Sequence, residues 1–439
     1  MYLLYSAALA VVAALTFPYF LFQGLRRGKY LRSFTARWGK LPREIADLGP
    51  GCVWLHAVSV GEVLACPGLV AELRERLPGR KVLVSTTTET GMQAARQRLA
   101  ADGVFYCPFD FAFAVRRVLG RLKPALVVVA ETELWPNLFR EARASGARLA
   151  VVNARISDRS FPRYKALRFF FRRVLDCADL LLAQSAEDAR RLGEMGAAAN
   201  RVRVMGTLKY DLGEPAPLPP WLAAELEPWA APGVLLAGST AEGEEKPVLQ
   251  AFARLRLRRP SLRLMVAPRR PERFEPLAEM VRASGFQMQR RSQLVEENAA
   301  LSADVLLVDT VGELAALYRY ASVAFVGGSL VPHGGQNPLE PAWFARPIVV
   351  GPSMSNFREI TAAFLAAGAL RQVKSTEDLP AVLEELFADP VAARRMGERA
   401  RALVETNRGS TARTAEALCR LLEAPTSVPA SQKAVSSWV

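Results

Sequence analysis

Histidine is almost absent from this 439-residue chain, with only His56 and His333 present. Acid–base chemistry therefore has to rest on carboxylates rather than on imidazole. The five cysteines (Cys52, Cys66, Cys107, Cys177 and Cys419) form no CxxC pair. Their scatter excludes a zinc site and a disulfide framework, fits a reducing compartment, and predicts no bound metal. Neither half of the chain carries a G-x-G-x-x-G after its first strand, nor a G-x-x-x-x-G-K-[ST]. That removes dinucleotide oxidoreductases and P-loop enzymes together.

Acidic residues are missing from one stretch above all. Between Gln23 and Arg43 come Arg26, Arg27, Lys29, Arg32, Arg37, Lys40 and Arg43 with no Asp or Glu, in a chain of net charge +14. The segment just before it, Met1 to Leu25, has no charge at all. It is about long enough to cross a hydrocarbon core, with Pro18 as a point of kinking. A cleavable leader places its positive charge ahead of the apolar run, whereas here the charge follows, so the expectation is an N-terminal membrane anchor, single-pass or monotopic. A core helix is the competing reading. The positive-inside rule leaves the rest of the chain in the cytoplasm, with the basic run against anionic headgroups. No stacking aromatics are interleaved with the cations, so nucleic acid is not an expected partner.

What is present is ample apolar material, 51% of residues, arranged as short strand-like runs alternating with helical stretches. In the first half the runs are Cys52 to Val58, Lys81 to Thr86, Val104 to Cys107, Ala125 to Ala130, Arg148 to Asn153, Leu180 to Ala183 and Val202 to Met205. After a stretch with six prolines between Asp211 and Gly233, the alternation restarts with Val234 to Ala237, Leu262 to Ala267, Val305 to Val308, Ala321 to Val326 and Pro347 to Val350. The pattern predicts α/β architecture with two Rossmann-like domains facing a cleft, since ligands of parallel sheets bind at the carboxyl ends of the strands. The expected boundaries are an anchor over 1–25, a first domain over 26–212, a linker over 213–232, a second domain over 233–423 and a frayed tail over 424–439.

Several strand-end loops carry candidate chemistry. Glu62 follows the first strand in HAVSVGE and opens a helix expected over Val63 to Leu77. A carboxylate there is favoured by the helix macrodipole alone, and equally suits a general base. Glu131 and Glu133 in ETELWPN follow another strand at the same end of the sheet, either as helix caps or as partners of Glu62. In the second half, Gly238-Ser239-Thr240 offers backbone and hydroxyl donors to a phosphate, Pro268-Arg269 offers a guanidinium clamp, and Val311-Gly312-Glu313 is a third such loop. The most distinctive stretch is Gly327 to Pro341, GGSLVPHGGQNPLEP. Its last part reads as a helix start, with Asn337 as N-cap, Pro338 at the first position, Leu339 next and Glu340 closing a capping box. Capping does not account for the glycines, Gly334 and Gly335 among them, which imply a backbone approached closely by a ligand at a helix N-terminus. Glu340 then has a second task to choose, accepting hydrogen bonds from a ribose.

Taken in order, HAVSVGE, ETELWPN, GTLKYD, GST.EGEE, PR.PERF, DT.GEL and GGSLVPHGGQNPLEP resemble the 3-deoxy-manno-octulosonate (Kdo) transferases of Gram-negative bacteria, over nearly the whole chain. The resemblance implies a GT-B glycosyltransferase that moves Kdo from CMP-Kdo to a lipid A precursor on the cytoplasmic side of the inner membrane, in lipopolysaccharide biosynthesis. It implies an inverting, metal-independent reaction with Glu62 as proton acceptor and no cofactor beyond the donor substrate. It places CMP contacts on Pro268 and Arg269, on Val311 to Glu313, and on Asn337 to Glu340. Lys209, Arg269 and the helix start at Asn337 are then expected to stabilise charge on the departing phosphate. Ala241, Arg270 and Gln336 depart from the family pattern, which often has histidine at each. Ala241 can neither donate nor carry charge, whereas Gln336 still donates and Arg270 stays charged. The alternatives are another membrane-associated lipid glycosyltransferase, a sugar-nucleotide epimerase on the same fold, or a basic membrane-binding protein without enzymatic activity.

Overall fold

The structure, a computed structural model, describes residues 1–27, 35–48, 50–211, 213–296 and 300–424, with the backbone alone for 17–27. It divides into two compact units. One comprises Met1–Asp211 with Arg408–Val439, and the other Leu212–Asn407.

Uncharged runs of Val, Leu and Ala form the strands of the first unit: β1 (Val53–His56), β2 (Val82–Thr86), β3 (Gly103–Tyr106), β4 (Leu126–Ala130), β5 (Arg148–Ala154), β6 (Leu180–Ala183) and β7 (Val202–Val204). They make one sheet in the order β3-β2-β1-β4-β5-β6-β7, and every neighbouring pair is parallel. Helices cover both faces, so strand residues are buried on both sides. Trp54, Leu83 and Val127 enter one core, while Val53, Leu55 and Val84 enter the other. This is why the strands read as continuous apolar runs rather than as alternations.

The second unit repeats the plan with β8 (Val234–Thr240), β9 (Arg263–Pro268), β10 (Met288–Arg290), β11 (Val305–Leu307), β12 (Val323–Val326), β13 (Ile348–Val350) and β14 (Arg371–Gln372). The order is β10-β11-β9-β8-β12-β13-β14, again all parallel. In each sheet the order reverses around a central pair, β1/β4 in the first and β8/β12 in the second. The crevice beyond the carboxyl ends of such a pair is where doubly wound sheets bind ligands.

Every expected strand run forms. The edge strands β10 and β14, three and two residues long, were not expected. Their polar sequences, MQR and RQ, offer no apolar run to detect, and pairing with a neighbour alone extends them.

The domain boundaries differ from expectation at both ends of the second unit. The expected linker over 213–232 contains a helix, Pro220–Ala230, whose Leu222, Leu226 and Trp229 are buried in the core of that unit. Proline at the first helical position costs nothing because its missing N–H has no intrahelical partner there, so a proline-rich segment here is a packed helix. Trp229 Nε1 donates to the Ala303 carbonyl at 2.8 Å. At the other end, the helix Ser410–Glu423 belongs to the first unit, where Ala415, Ala417 and Leu418 pack with Leu69, Val70 and Leu73. Asp211, the last residue of the outgoing chain, accepts the Gly409 and Thr411 amides and so ties the crossing out to the crossing back.

The apolar N-terminal run forms the helix Tyr2–Arg27. Its first turns dock on the first unit. The Tyr2 hydroxyl donates to the Arg173 carbonyl at 3.2 Å, Arg140 lies over the Tyr2 ring, and Asn137 Nδ2 donates to the Ser6 hydroxyl at 3.1 Å. Among the described residues no helix is long and apolar enough to cross a membrane. The later part of the expected anchor and most of the basic run, including the side chains of Arg26 and Arg27 and the whole of Lys29 and Arg32, lie outside the described residues.

Candidate active site

Glu62 follows β1, but the helix it opens is shorter than expected. In place of one helix over Val63 to Leu77 there are two, Val60–Leu64 and Pro67–Arg76, because Pro67 cannot continue the first and suits the start of the second. Ser59 caps the first helix. Its hydroxyl accepts the Glu62 amide at 3.3 Å and donates to the Glu62 carboxylate at 2.8 Å. That carboxylate also accepts the Val58 amide at 2.7 Å and the Ser59 amide at 3.2 Å. A carboxylate offers about four acceptor positions, so three bonds fix its orientation and leave one position for a substrate proton. Glu62 is 6% exposed. Burial pushes its pKa up to about 7, opposed by the bonds from Val58 and Ser59 and reinforced by the negative charges of Glu131 and Glu133. Capping and base chemistry are thus compatible at this residue, and the group changes charge near neutrality, where a general base works best.

Glu131 and Glu133 share that neighbourhood, as the sequence implied. Glu131 directly follows β4 with φ of 55°, a left-handed conformation that is uncommon for a side-chain-bearing residue and concentrates at functional sites. Thr132 holds the turn by hydrogen-bonding with the main chain of Arg155 in both directions. Glu133 accepts from Trp135 Nε1 at 2.9 Å, and the Trp135 ring stands against that of His56, 4.8 Å between centroids. His56 itself is fully buried. Its Nδ1 meets the Ser85 hydroxyl at 2.9 Å, and the same hydroxyl accepts from Trp54 Nε1 at 2.7 Å. Burial pushes the imidazole pKa down to about 4, which keeps His56 neutral at pH 7 and leaves the carboxylates as the acid–base groups here.

The helix after ETELWPN, Pro136–Ala144, is not capped by the acidic pair that precedes it. Asp110, in the loop after β3, accepts the Asn137 amide at 3.0 Å and the Leu138 amide at 2.7 Å. Sequence reasoning missed Asp110, because its partners stand 27 and 28 residues away. Burial pushes its pKa up to about 6.

In the second unit, the loops after β8, β9, β11 and β12 rise from neighbouring strands. β8 ends at a register shift between Gly238 and Thr240, with Ser239 at φ of 55°. Such a bulge re-aims the chain at a sheet end. Thr240 is fully buried and its hydroxyl has no hydrogen-bond partner among the described residues. The Thr240 carbonyl accepts the Arg269 amide at 2.8 Å, which joins the GST loop to the Pro268-Arg269 loop, where Pro268 is buried and Arg269 exposed. Arg270 and Glu272 form an exposed pair at 3.7 Å. Val311 is exposed and Gly312 has φ of 99°. The Glu313 carboxylate is committed to Arg291, at 2.7 Å, and to the Thr310 hydroxyl. These two bonds fix the orientation of the carboxylate.

The GGSLVPHGGQNPLEP stretch is braced from within. Gly327 accepts no side chain: a Cβ would stand 2.6 Å from the Ser239 carbonyl oxygen and 2.6 Å from Thr240 Cα. Gly334 and Gly335 have φ of 84° and 74°. The space beside Gly334 is filled by Ser355 and Asn356, each 2.7 Å from a built Cβ, and the space beside Gly335 by Met354. Protein packing by itself accounts for their lack of side chains. The helix that follows is short, Leu339–Trp343, with Pro338 rather than Asn337 at the cap. Asn337 Oδ1 still accepts the Leu339 amide at 3.1 Å, but Glu340 accepts from Asn337 Nδ2 at 3.3 Å instead of closing a capping box onto the backbone. Gln336 packs beside Gly328, its Nε2 3.3 Å from a built Cβ there. Lys209 lies in the first unit, in the turn Leu208–Tyr210. No cluster of three or more metal-ligating side chains occurs among the described residues.

GSTAEGEE also contains a residue that was not singled out in the sequence. Glu244 is fully buried, and its carboxylate accepts the amides of Ala241 (2.8 Å), Gly328 (2.6 Å), Ser329 (2.9 Å) and Leu330 (2.7 Å). Four backbone amides at the ends of β8 and β12, none of them among the Gly238 to Thr240 donors expected for a phosphate, are thus filled by a side chain of the same unit, and the Ala241 amide is one of the four.

Two doubly wound parallel sheets form the architecture of GT-B glycosyltransferases. A glycosyltransferase from Rickettsia africae superimposes with a TM-score of 0.53 at 12% identity, over 86% of this chain and 100% of its own. That likeness bears on the fold alone. The family profile described as 3-deoxy-D-manno-octulosonic-acid transferase matches residues 32–212. The 3-deoxy-D-manno-octulosonic acid transferase of Haemophilus influenzae is 33% identical over 85% of this chain and 88% of its own length. That of Bordetella pertussis is 35% identical over 94% and 98%. The chain belongs to the 3-deoxy-D-manno-octulosonic acid transferase family.

Proposed function

We propose that this enzyme transfers Kdo from CMP-Kdo to a sugar hydroxyl of a lipid A precursor, in lipopolysaccharide biosynthesis, with inversion and with Glu62 as general base. The observation that carries the reading is the buried Glu62 carboxylate, fixed by three donors and titrating near 7. Glu62 takes the proton of the acceptor hydroxyl, and the oxygen attacks the anomeric carbon of the donor. The bond from that carbon to the phosphate breaks, and CMP leaves with the electron pair. In the second unit, Pro268 and Arg269, Ser239 and Thr240, the main chain of Val311, Gly312 and Glu313, and Asn337 to Glu340 contact the donor. Arg269 stabilises charge on the departing phosphate as a two-pronged donor. Lys209, on the first unit, is a further cation for the same charge. Incubation with CMP-Kdo and a lipid A precursor is expected to release CMP and to add whole Kdo masses to the lipid by mass spectrometry. Turnover of a UDP-sugar with CMP-Kdo left intact would instead favour another lipid glycosyltransferase or an epimerase.

The same reading includes attachment to the cytoplasmic face of the inner membrane through the N-terminal helix. Supporting it, Leu3, Leu4, Val11, Val12 and Leu15 of that helix are exposed, and the sequence continues into the acid-free basic run. An apolar helix followed by cations suits a bilayer with anionic headgroups. Full-length protein is expected to float with vesicles containing anionic phospholipid, and protein lacking residues 1–27 to stay at the bottom of the gradient. Equal flotation of the two would remove the helix from this role.

A further inference from the structure

The first unit supplies the base, and the donor loops of the second unit need a fixed shape of their own. What fixes them is visible at one residue. Glu244 precedes the helix Glu245–Arg256, and its side chain is fully buried. A carboxylate without water is costly unless its lone pairs are filled. Here Oε2 accepts the Ala241 and Gly328 amides, and Oε1 accepts those of Ser329 and Leu330. Successive main-chain N–H groups converging on one point form a nest of the kind that binds anions. The anion in this nest is part of the protein.

The contacts of this carboxylate join the loop after β8 to the loop after β12. From there the bracing continues outward. The Ser329 hydroxyl accepts the Gly351 amide at 2.8 Å, and the Ser329 carbonyl accepts the Ser353 amide at 2.8 Å. The Gly328 carbonyl accepts the Gly335 amide at 2.7 Å, and Asn356 Nδ2 reaches the Gly335 carbonyl at 3.2 Å. The segment that ends in Asn337 and Glu340 thus hangs from main chain held by Glu244.

We propose that Glu244 is a positioning residue for the donor: its carboxylate fills the backbone nest that shapes the Gly327–Leu330 loop, and it acts on donor binding through that loop. The inference rests on the reading that the second unit binds CMP-Kdo. One consequence is that the donor phosphate is held by side chains such as Arg269, since the nest is occupied.

Chemical rescue tests it. Glu244→Ala empties the nest and leaves room for a small carboxylate, whereas Glu244→Gln fills it with an amide whose NH2 opposes amide donors. Both variants are expected to weaken CMP binding by about tenfold or more in calorimetry. The KM for CMP-Kdo rises correspondingly, with kcat within about threefold of wild type. Formate or acetate at about 100 mM restores most of the CMP affinity of Glu244→Ala and none of that of Glu244→Gln. Independently of any nucleotide, the amides of Gly328, Ser329 and Leu330 exchange about a hundredfold faster in Glu244→Ala, while those of β8 and β12 do not.

Wild-type CMP affinity in a folded Glu244→Ala, a fall in kcat at unchanged KM, or absence of rescue overturns the proposal. If Glu244→Ala does not fold, the KM and kcat of Glu244→Gln decide. Failure of both to fold overturns it in favour of a purely structural residue. Failure of the wild type to bind CMP sinks the donor reading itself, and the exchange rates then still decide whether Glu244 shapes the loop.

Discussion

Glu62→Gln is expected to lower the rate of Kdo transfer by about 10²- to 10⁴-fold, the range for loss of a positioned general base. CMP binding, measured by calorimetry, stays at the wild-type level, because the loops that contact the nucleotide belong to the second unit. The pH dependence separates base from bystander. Burial holds the Glu62 pKa up to about 7, and only the ionised carboxylate accepts a proton. The kcat/KM of the wild type therefore rises with pH through about 7 and levels off above it, falling about tenfold per unit on the acid side. In Glu62→Gln this acid limb disappears. The amide keeps one acceptor oxygen but turns its NH2 group toward either the Val58 amide or the Ser59 donors, so some loss of stability accompanies the change. A variant with near wild-type turnover, or an acid limb that persists in the variant, would remove Glu62 from the role of base.

The second large effect is expected at a glycine. In Gly327→Ala the new methyl group would stand 2.6 Å from both the Ser239 oxygen and Thr240 Cα. Both atoms are main chain, so no side-chain rotation relieves the contact, and the ends of β8 and β12 must separate. Overpacking of this kind costs about 1–3 kcal/mol. The displacement falls on Ser239, already at φ of 55°, and on Thr240, whose carbonyl holds the Arg269 loop. The variant should therefore lose about tenfold or more in CMP affinity as well as melting at a lower temperature. Gly120→Ala is the control. Gly120 lies in the helix Ala112–Leu122, and a Cβ there meets nothing within 4 Å. That substitution is expected to stabilise by about 0.5–1 kcal/mol, the usual gain of Ala over Gly within a helix. Equal melting temperatures for the two variants would refute the close-approach argument.

The sequence was most legible where one local signal decided the outcome. Apolar runs between turn residues located the strands, and Glu62 was found by its place after the first of them. Legibility failed where partners are distant in the chain. Glu244 was not singled out, because three of its four donors are 84 to 86 residues further on. Asp110 caps a helix 27 residues away and left no local trace. Gly334 and Gly335, read as glycines approached by a ligand, have Met354, Ser355 and Asn356 packed beside them. The composition of a loop records that a close approach occurs there without recording what approaches.

By itself, then, the sequence determined the parallel α/β class, the alternation of strand and helix in two halves, and the carboxylate at the first strand end, because burial and chain polarity act within a dozen residues. Only the tertiary structure decided that the proline-rich segment is a packed helix, that Ser410–Glu423 returns to the first unit, and that the backbone nest of the second unit is filled by Glu244. An amphipathic helix states that it has an apolar face, and a carboxylate that it needs donors. Which surface and which donors satisfy them is settled when distant segments are brought together and water is excluded between them.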